Sequence, residues 1–378
     1  MEKTLIDYFL RLVQIDSESK DERDIALSLK ADLEELGFSV VFDKANEKTG
    51  GTIGNLIASL PGKVDSKPLL LCAHLDTVTP GKGVKPVIEG DLIKSDGTTI
   101  LGSDDKSGIA QIVWAIKEII ENDEPHPPVE LLFTISEEIG LLGAKYCDYS
   151  LLKAKNCYTL DTHEIGAVMN GAPSQNNLLF IVHGKKAHAG VEPEKGLNAI
   201  RVAAEALSAI PLGRIDRETT CNIGVISGGT ARNVVPDAVR IKGEVRSHNE
   251  EKLQEVTSQI CDTMEKVVTS HRVNGYQAKV EVTVDKSYSA FLVPEEEMIV
   301  QIARKASQQL SLPDKVYRGG GGSDANIFNL HGIKTVVIGT GMDAVHTLEE
   351  NISISALEKG MNWVKEILRL YTQAENNA

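Results

Sequence analysis

The chain has 378 residues, which is long for a single hydrophobic core, so we expect two domains. Its formal net charge of −14 and the lack of a basic stripe argue against a nucleic-acid partner. No apolar run approaches the ~18 residues that cross a membrane, and the N-terminus has no basic region followed by an apolar one. The five scattered cysteines form no Cys-x-x-Cys pair, so a cytoplasmic protein with reduced thiols is expected.

Two amphipathic helices, over 5–14 and 24–36, are predicted before the first informative strand. That strand is an apolar run that begins at Leu69 and brings His74 and Asp76 to its carboxyl end. Ligands bind at this edge of open α/β sheets. Because residues two apart on a strand face the same way, Asp76 is expected to accept a hydrogen bond from the His74 nitrogen that does not bind metal. A lone His-x-Asp pair is more often structural, but further acidic sites follow.

Each of these later sites lies at the end of a predicted strand or at the start of a predicted helix. They are Asp104 and Asp105 before a helical run at 109–120, Glu137 and Glu138 after a strand at 129–136, Asp161 after a strand at 157–160, and His346 after a strand at 335–339. Carboxylates gathered at one sheet edge repel one another unless cations compensate them. The sequence therefore predicts a bound metal pair at this edge.

The pattern of elements changes near residue 173. From there the order is strand, helix, strand, strand, helix, strand, which is the ferredoxin-like order. The elements are expected at 178–183, 197–210, 220–226, 238–246, 250–272 and 278–284. The α/β pattern resumes with a helix after Pro294, and His346 lies beyond it. We therefore expect a discontinuous metal-binding catalytic domain over 1–173 and 288–378, with an inserted domain over 174–287.

The order of these motifs resembles the co-catalytic zinc metallopeptidases, a family that includes peptidase T, carboxypeptidases of the carboxypeptidase G type, aminoacylase and succinyl-diaminopimelate desuccinylase. The likeness covers nearly the whole chain. The run from Leu101 to Lys106, together with the aspartate at position 161, is most similar to the peptidase T branch. The resemblance implies a zinc-peptidase-type mixed-sheet α/β catalytic domain with an inserted ferredoxin-like α+β lid or dimerisation domain.

Carried over residue by residue, the resemblance also implies roles for the strand-end residues. The implied metal ligands are His74, Asp104, Glu138, Asp161 and His346. Asp104 would bridge two ions, since a carboxylate can reach two metals and an imidazole cannot. Asp76 would support His74, Glu137 would be the general base, and the peptide bond between Asp104 and Asp105 would be cis.

The inserted domain carries two motifs that the resemblance connects with substrate. The run Ala187-His188-Ala189-Gly190 is similar to the family motif whose histidine stabilises the oxyanion, in the neighbouring subunit's site where members dimerise through this domain. Asn233 corresponds to an asparagine that holds substrate. Arg246 corresponds to an arginine near the substrate carboxylate, with an ordinary surface arginine as the equal alternative.

A glycine run at 319–322 is the last signal. Glycine lets the backbone approach a ligand closely, so Gly320 and Gly321 are candidate substrate contacts. Arg318 could hold a peptide carboxylate through its two-pronged guanidinium group. Asp324 is expected to cap the helix that follows.

The resemblance implies metal-dependent hydrolysis of amide bonds in short peptides, most closely by an aminopeptidase acting on tripeptides. Two Zn²⁺ ions per chain are expected, although Co²⁺ or Mn²⁺ would suit the same ligands, and a homodimer would form through the inserted domain. An N-acyl amino acid deacylase or a carboxypeptidase on the same site stays open, because no residue shows how an α-amino group would be held. A non-catalytic metal-binding dimeric module is the alternative outside enzymes, and the non-ligand Glu137 beside Glu138 counts against it.

Overall fold

The computed structural model describes residues 2–376, which form two compact units. The first unit contains the described residues up to Gly171, the segment Leu292–Gly319 and the described residues from Ser323 onward. The second unit contains Ala172–Phe291 and Gly320–Gly322. In the described part of the chain, no helix is both long enough and apolar enough to cross a membrane.

The helices of the described chain are numbered in order. They are α1 (Leu5–Val13), α2 (Arg23–Glu35), α3 (Asn46–Thr49), α4 (Ser103–Glu121), α5 (Leu142–Lys145), α6 (Ala199–Ser208), α7 (Glu250–Ser270), α8 (Met298–Gln309), α9 (Asp324–Leu330) and α10 (Ile354–Asn376). Short 3₁₀ turns cover Tyr149–Leu151 and Pro193–Lys195.

The strands are numbered in the same way. They are β1 (Ser39–Phe42), β2 (Leu56–Leu60), β3 (Leu69–His74), β4 (Pro86–Glu89), β5 (Leu92–Ser95), β6 (Val129–Thr134), β7 (Asn156–Thr162), β8 (Ala167–Ala172), β9 (Ser174–His183), β10 (Ala187–His188), β11 (Gly213–Arg214), β12 (Thr219–Gly228), β13 (Val234–Val235), β14 (Ala238–Ser247), β15 (Arg272–Val273), β16 (Tyr276–Gln277), β17 (Lys279–Tyr288), β18 (Phe291–Leu292), β19 (Lys315–Arg318), β20 (Lys334–Gly339), β21 (Met342–Asp343) and β22 (Asn351–Ser353).

The first unit is built on a mixed sheet with the strand order β1-β2-β6-β3-β7-β20-β8-β18, and β19 lies beside β8. Its centre is parallel: β3 pairs with β6 and β7, and β20 pairs with β7. Strands β3 and β6 are buried along their whole length, as expected for strands covered on both faces. Because these central strands are parallel, their carboxyl ends meet at one edge. The expected mixed-sheet α/β fold is confirmed.

The second unit has an antiparallel sheet with the order β11-β12-β14-β9-β17. The chain runs β9, α6, β12, β14, α7, β17, which is the expected ferredoxin-like order. Helices α6 and α7 pack on one face of the sheet, over a core that includes Phe180, Ile241 and Ile260. Helix α6 begins later than expected because the Asn198 side chain accepts the backbone N–H of Arg201 and caps it there.

Candidate active site

Three of the expected ligands converge at the carboxyl edge of the parallel strands. His74 ends β3, Asp104 lies at the start of α4, and Glu138 follows β6. One side-chain ligand atom from each lies within 4.8 Å of the other two. Residues 64 positions apart in the sequence, His74 and Glu138, thus meet because β3 and β6 are neighbours in the sheet.

Asp104 lies between two imidazoles. Its Oδ1 is 2.9 Å from Nε2 of His74, and its Oδ2 is 3.3 Å from Nε2 of His346. The same His346 nitrogen is 2.9 Å from Oε1 of Glu138. Each oxygen of Asp104 therefore faces a different imidazole, which is the disposition required of a carboxylate that bridges two ions.

Asp161 is the next-to-last residue of β7 and is half-buried. Burial raises the pKa of its carboxyl group well above the usual value, and the nearby Asp104 carboxylate raises it further. The carboxylates of Asp161 and Asp104 are thus close enough to interact electrostatically.

The cluster contains more carboxyl groups than basic groups. Burial, and then the neighbouring Asp161, raises the pKa of Glu137 well above its usual range, and burial raises that of Glu138. Burial opposes ionisation of Asp104, but hydrogen bonds with His346 and His74 hold its pKa below the ordinary value. Hydrogen bonds with Asp104 and Glu138 raise the pKa of His346 to about 10. Protons held by these groups offset an excess of buried negative charge, which divalent cations would also offset.

The donor set suits such cations. Imidazole nitrogens and carboxylate oxygens are the usual zinc ligands outside cysteine sites. His74 and His346 lie against the two oxygens of Asp104, Glu138 lies against His346, and Asp161 adds a further, half-buried carboxylate. The residues present therefore fit a metal centre.

Asp76 differs from expectation. Nδ1 of His74 lies 2.8 Å from the backbone carbonyl oxygen of Asp76, whereas the Asp76 carboxylate is 3.6 Å away. The carboxylate instead accepts the backbone N–H groups of Glu137 at 2.8 Å and Glu138 at 3.2 Å, and the hydroxyl of Ser19 at 2.6 Å. Asp76 therefore contacts His74 through its backbone carbonyl and the two glutamates through its side chain.

Residues that sequence reasoning missed hold the turn between β6 and the glutamates. Ser136 has a left-handed backbone with φ +53°, and its N–H and hydroxyl both donate to Oε1 of the buried Glu22, at 3.0 Å each. Glu22 precedes α2, and the two residues are 114 positions apart, so no local motif connects them. Glu350 likewise contacts the loop that ends at Asp104.

The peptide bond between Asp104 and Asp105 is cis, as the resemblance implied. Asp105 turns inward, and its Oδ2 accepts the backbone N–H of His74 at 3.1 Å. The next residue, Lys106, is buried and donates to the carbonyl of Ile15 at 2.7 Å. This segment is thereby tied both to the end of β3 and to the chain after α1.

The second unit brings His188 and Asn233 next to each other. His188 is exposed on β10, which pairs with β13, and the N–H of Ala189 donates to the carbonyl of Asn233 at 3.0 Å. Arg246 lies on β14, half-buried, and its guanidinium group donates to Glu244 at 2.8 and 3.1 Å.

Side chains pack closely against the two ends of the glycine run, Gly319 and Gly322. A Cβ atom on Gly319 would lie 2.0 Å from Sδ of Met169, and one on Gly322 would lie 2.2 Å from the ring of Tyr288. A Cβ atom on Gly320 would lie in open space, and one on Gly321 would lie 3.7 Å from Nη1 of Arg246, an ordinary van der Waals distance.

Arg318 and Asp324 flank the glycine run, and Asp324 differs from expectation. Arg318 is exposed at the end of β19. The cap of α9 is Ser323, in a capping box with Asn326, so the expectation for Asp324 was wrong. Asp324 is the first residue inside the helix, and its buried carboxylate accepts the Thr134 hydroxyl at 2.5 Å.

Comparisons with known proteins found related chains and solved structures. The family model "Peptidase dimerisation domain" matches residues 176–271, and "Peptidase family M28" matches 55–200. The "Uncharacterized protein YqjE" of Bacillus subtilis (strain 168) is 42% identical over 97% of this chain and 98% of its own length. The crystal structure of a tripeptidase from Staphylococcus aureus is 37% identical, with a TM-score of 0.91 over 98% of both chains. The aminopeptidase PepT from Bacillus cereus is 39% identical, with a TM-score of 0.86 over 97% of this chain and 98% of its own.

This chain is a peptidase T-like member of the M20 metallopeptidase family. Family membership makes it a metal-dependent peptide hydrolase. The M28 match spans His74, Asp104, Glu138 and Asp161. The dimerisation-domain match lies within the second unit.

We expect the substitution Asp76→Asn to weaken metal binding about 10–100-fold, the range found when a residue that supports metal ligands is changed. The new amide NH₂ would face the N–H of Glu137 or Glu138, and two donors repel. Competition titration against a chelating dye measures the affinity. Asp16→Asn is the control, since the exposed Asp16 also accepts a backbone N–H, from Gly83. Equal affinities in the two variants would show that the Asp76 carboxylate has no such role.

Proposed function

We propose that this protein is a two-zinc aminopeptidase that releases the N-terminal residue of short peptides, with tripeptides as the preferred class. The observation that carries the proposal is the Asp104 carboxylate lying between His74 and His346, with Glu138 against His346 and Glu137 beside it. The likeness to the Staphylococcus aureus tripeptidase supports the choice of tripeptides, and the likeness to the aminopeptidase PepT supports release of the N-terminal residue; each is above 35% identity.

His74, Asp104, Glu138, Asp161 and His346 would hold the two ions, with Asp104 shared between them. Bound zinc ions supply a water of lowered pKa and polarise the scissile carbonyl. Co²⁺ or Mn²⁺ would suit the same ligands, because this donor set discriminates weakly among them.

Glu137 is proposed as the general base. It accepts a proton from the attacking water and delivers it to the nitrogen of the departing amine. Burial raises the pKa of Glu137 well above the ordinary glutamate value, which makes its carboxylate a stronger base toward the proton of the water. Its backbone N–H is held by Asp76 at 2.8 Å, so the base is anchored next to Glu138.

Further residues are proposed to contact the substrate. His188 is proposed to stabilise the oxyanion, in its own or the partner subunit's site, and the adjoining Asn233 to bind the peptide. Arg318, which is exposed, is proposed to hold the peptide carboxylate. Arg246, already paired with Glu244, and the backbone of Gly320 and Gly321 are proposed as further contacts.

We propose a homodimer formed through the second unit. Strand β12 pairs with β11 only near Cys221, so its later residues form an edge. Val225 and Ile226 on that edge are 51% and 53% exposed, and an open apolar edge can pair with the same edge of a second copy. Sedimentation of the protein as a monomer at micromolar concentration would exclude this assembly.

A cytoplasmic location is part of the proposal. It is supported by the five free cysteines, of which Cys72 and Cys157 are fully buried. No nucleic-acid or membrane partner is proposed.

A free tripeptide and its N-acetylated form distinguish the proposal from its alternatives. We expect the zinc-loaded protein to cleave only the free peptide and to release its N-terminal residue, measured by quantifying amino acids in the products. Cleavage of only the acetylated peptide would favour a deacylase or a carboxypeptidase. Two bound metals without cleavage of either peptide would favour a non-catalytic module.

The substitution Glu137→Gln should lower kcat about 10²–10⁴-fold, because that is the usual contribution of a general base. Metal content should stay unchanged, as measured by elemental analysis after dialysis, because Glu137 is not a proposed ligand. Glu164→Gln, at an exposed residue that pairs with Lys315, serves as the control with wild-type kcat. Activity near that of the control would rule out Glu137 as the base.

A further inference from the structure

Glu350 is a buried carboxylate that accepts hydrogen bonds from four successive residues. It is 1% exposed and lies four residues after His346. Its Oε2 accepts the N–H groups of Leu101 at 2.9 Å and Gly102 at 3.0 Å. Its Oε1 accepts the Ser103 hydroxyl at 2.7 Å and the Asp104 N–H at 3.0 Å.

These four hydrogen bonds do not cap a regular helix. Although α4 starts at Ser103, Asp104 and Asp105 have non-helical backbone angles, and Gly102 has a left-handed φ of +78°. The turn points successive N–H groups inward at one acceptor, in the manner of an anion-binding nest. Here the anion belongs to the chain itself, from a segment nearly 250 positions away.

The contact connects two segments that carry proposed ligands. The segment from Leu101 to Asp104, which donates these hydrogen bonds, ends at one proposed ligand. Glu350 itself lies in the short loop between β21 and β22 that also contains His346. The side chains of Asp104 and His346 themselves meet at 3.3 Å. The hydrogen bonds of Glu350 therefore join the two backbone segments that carry these side chains.

We propose that Glu350 is a positioning residue that sets the spacing of Asp104 and His346 for the metal pair. The inference rests on the proposed metal site and goes beyond it, because Glu350 contacts backbone and not the proposed ions. A carboxylate is needed for this role, since all four of its partners are donors.

The test compares Glu350→Gln with Glu130→Gln. Glu130 is a matched control: it is buried, and it accepts the backbone N–H groups of Lys153 and Ala154 at about the same distances. It lies at the amino end of β6, away from the candidate site. Each apoprotein is titrated with Co²⁺ and followed by visible absorption, and its urea midpoint is measured without metal.

We expect both variants to lose apoprotein stability, whereas only Glu350→Gln binds Co²⁺ about 10–100-fold more weakly than the wild type and with an altered absorption spectrum. Wild-type affinity and spectrum in Glu350→Gln would reduce Glu350 to a structural role and overturn the inference. A wild-type protein that binds no Co²⁺ would instead overturn the proposed metal site, and the inference with it.

If Glu350→Gln does not fold, Ser103→Ala decides the question. It removes one of the four hydrogen bonds and leaves the carboxylate in place. We expect a loss of Co²⁺ affinity of roughly 2–10-fold, equivalent to one hydrogen bond. Unchanged affinity and spectrum in this variant would also overturn the inference.

Discussion

The structure of the candidate site depends on one electrostatic constraint, the gathering of several carboxylates at the buried carboxyl edge of a parallel sheet. Hydrogen bonds with two imidazoles hold the pKa of Asp104 below its usual range, whereas burial raises the pKa of Glu137 and Asp161. Such a cluster is costly in a folded protein unless positive charge is supplied. A metal pair supplies that charge, and the chemistry proposed for the site follows from the same ions.

A second set of carboxylates holds the first set in place. Asp76 accepts the N–H groups of both glutamates, Glu22 holds the turn at Ser136, and Glu350 clamps the loop that ends at Asp104. None of these contacts is with a proposed ion. Because each acceptor binds backbone donors, it fixes the direction of the neighbouring side chain, which is the general role of residues that surround metal ligands.

The sequence predicted the architecture well because strand ends and motif order are local signals. His74 ends an apolar run, and the ferredoxin-like element order is visible from residue 174 onward, so both the mixed-sheet fold and the family were predictable. Glu22 and Glu350 were not predictable, since their partners are 114 and about 250 positions away. Whether Gly319 or Gly320 is sterically required depends on Met169, which no local pattern connects with the glycine run.

The most direct test of the central claim is an anomalous difference map from crystals grown with Zn²⁺ and measured at the zinc absorption edge. The account predicts two peaks per chain, roughly 3.5–4 Å apart, with the Asp104 carboxylate between them and His74 and His346 on opposite sides. A single peak, or two peaks that Asp104 does not join, would contradict it.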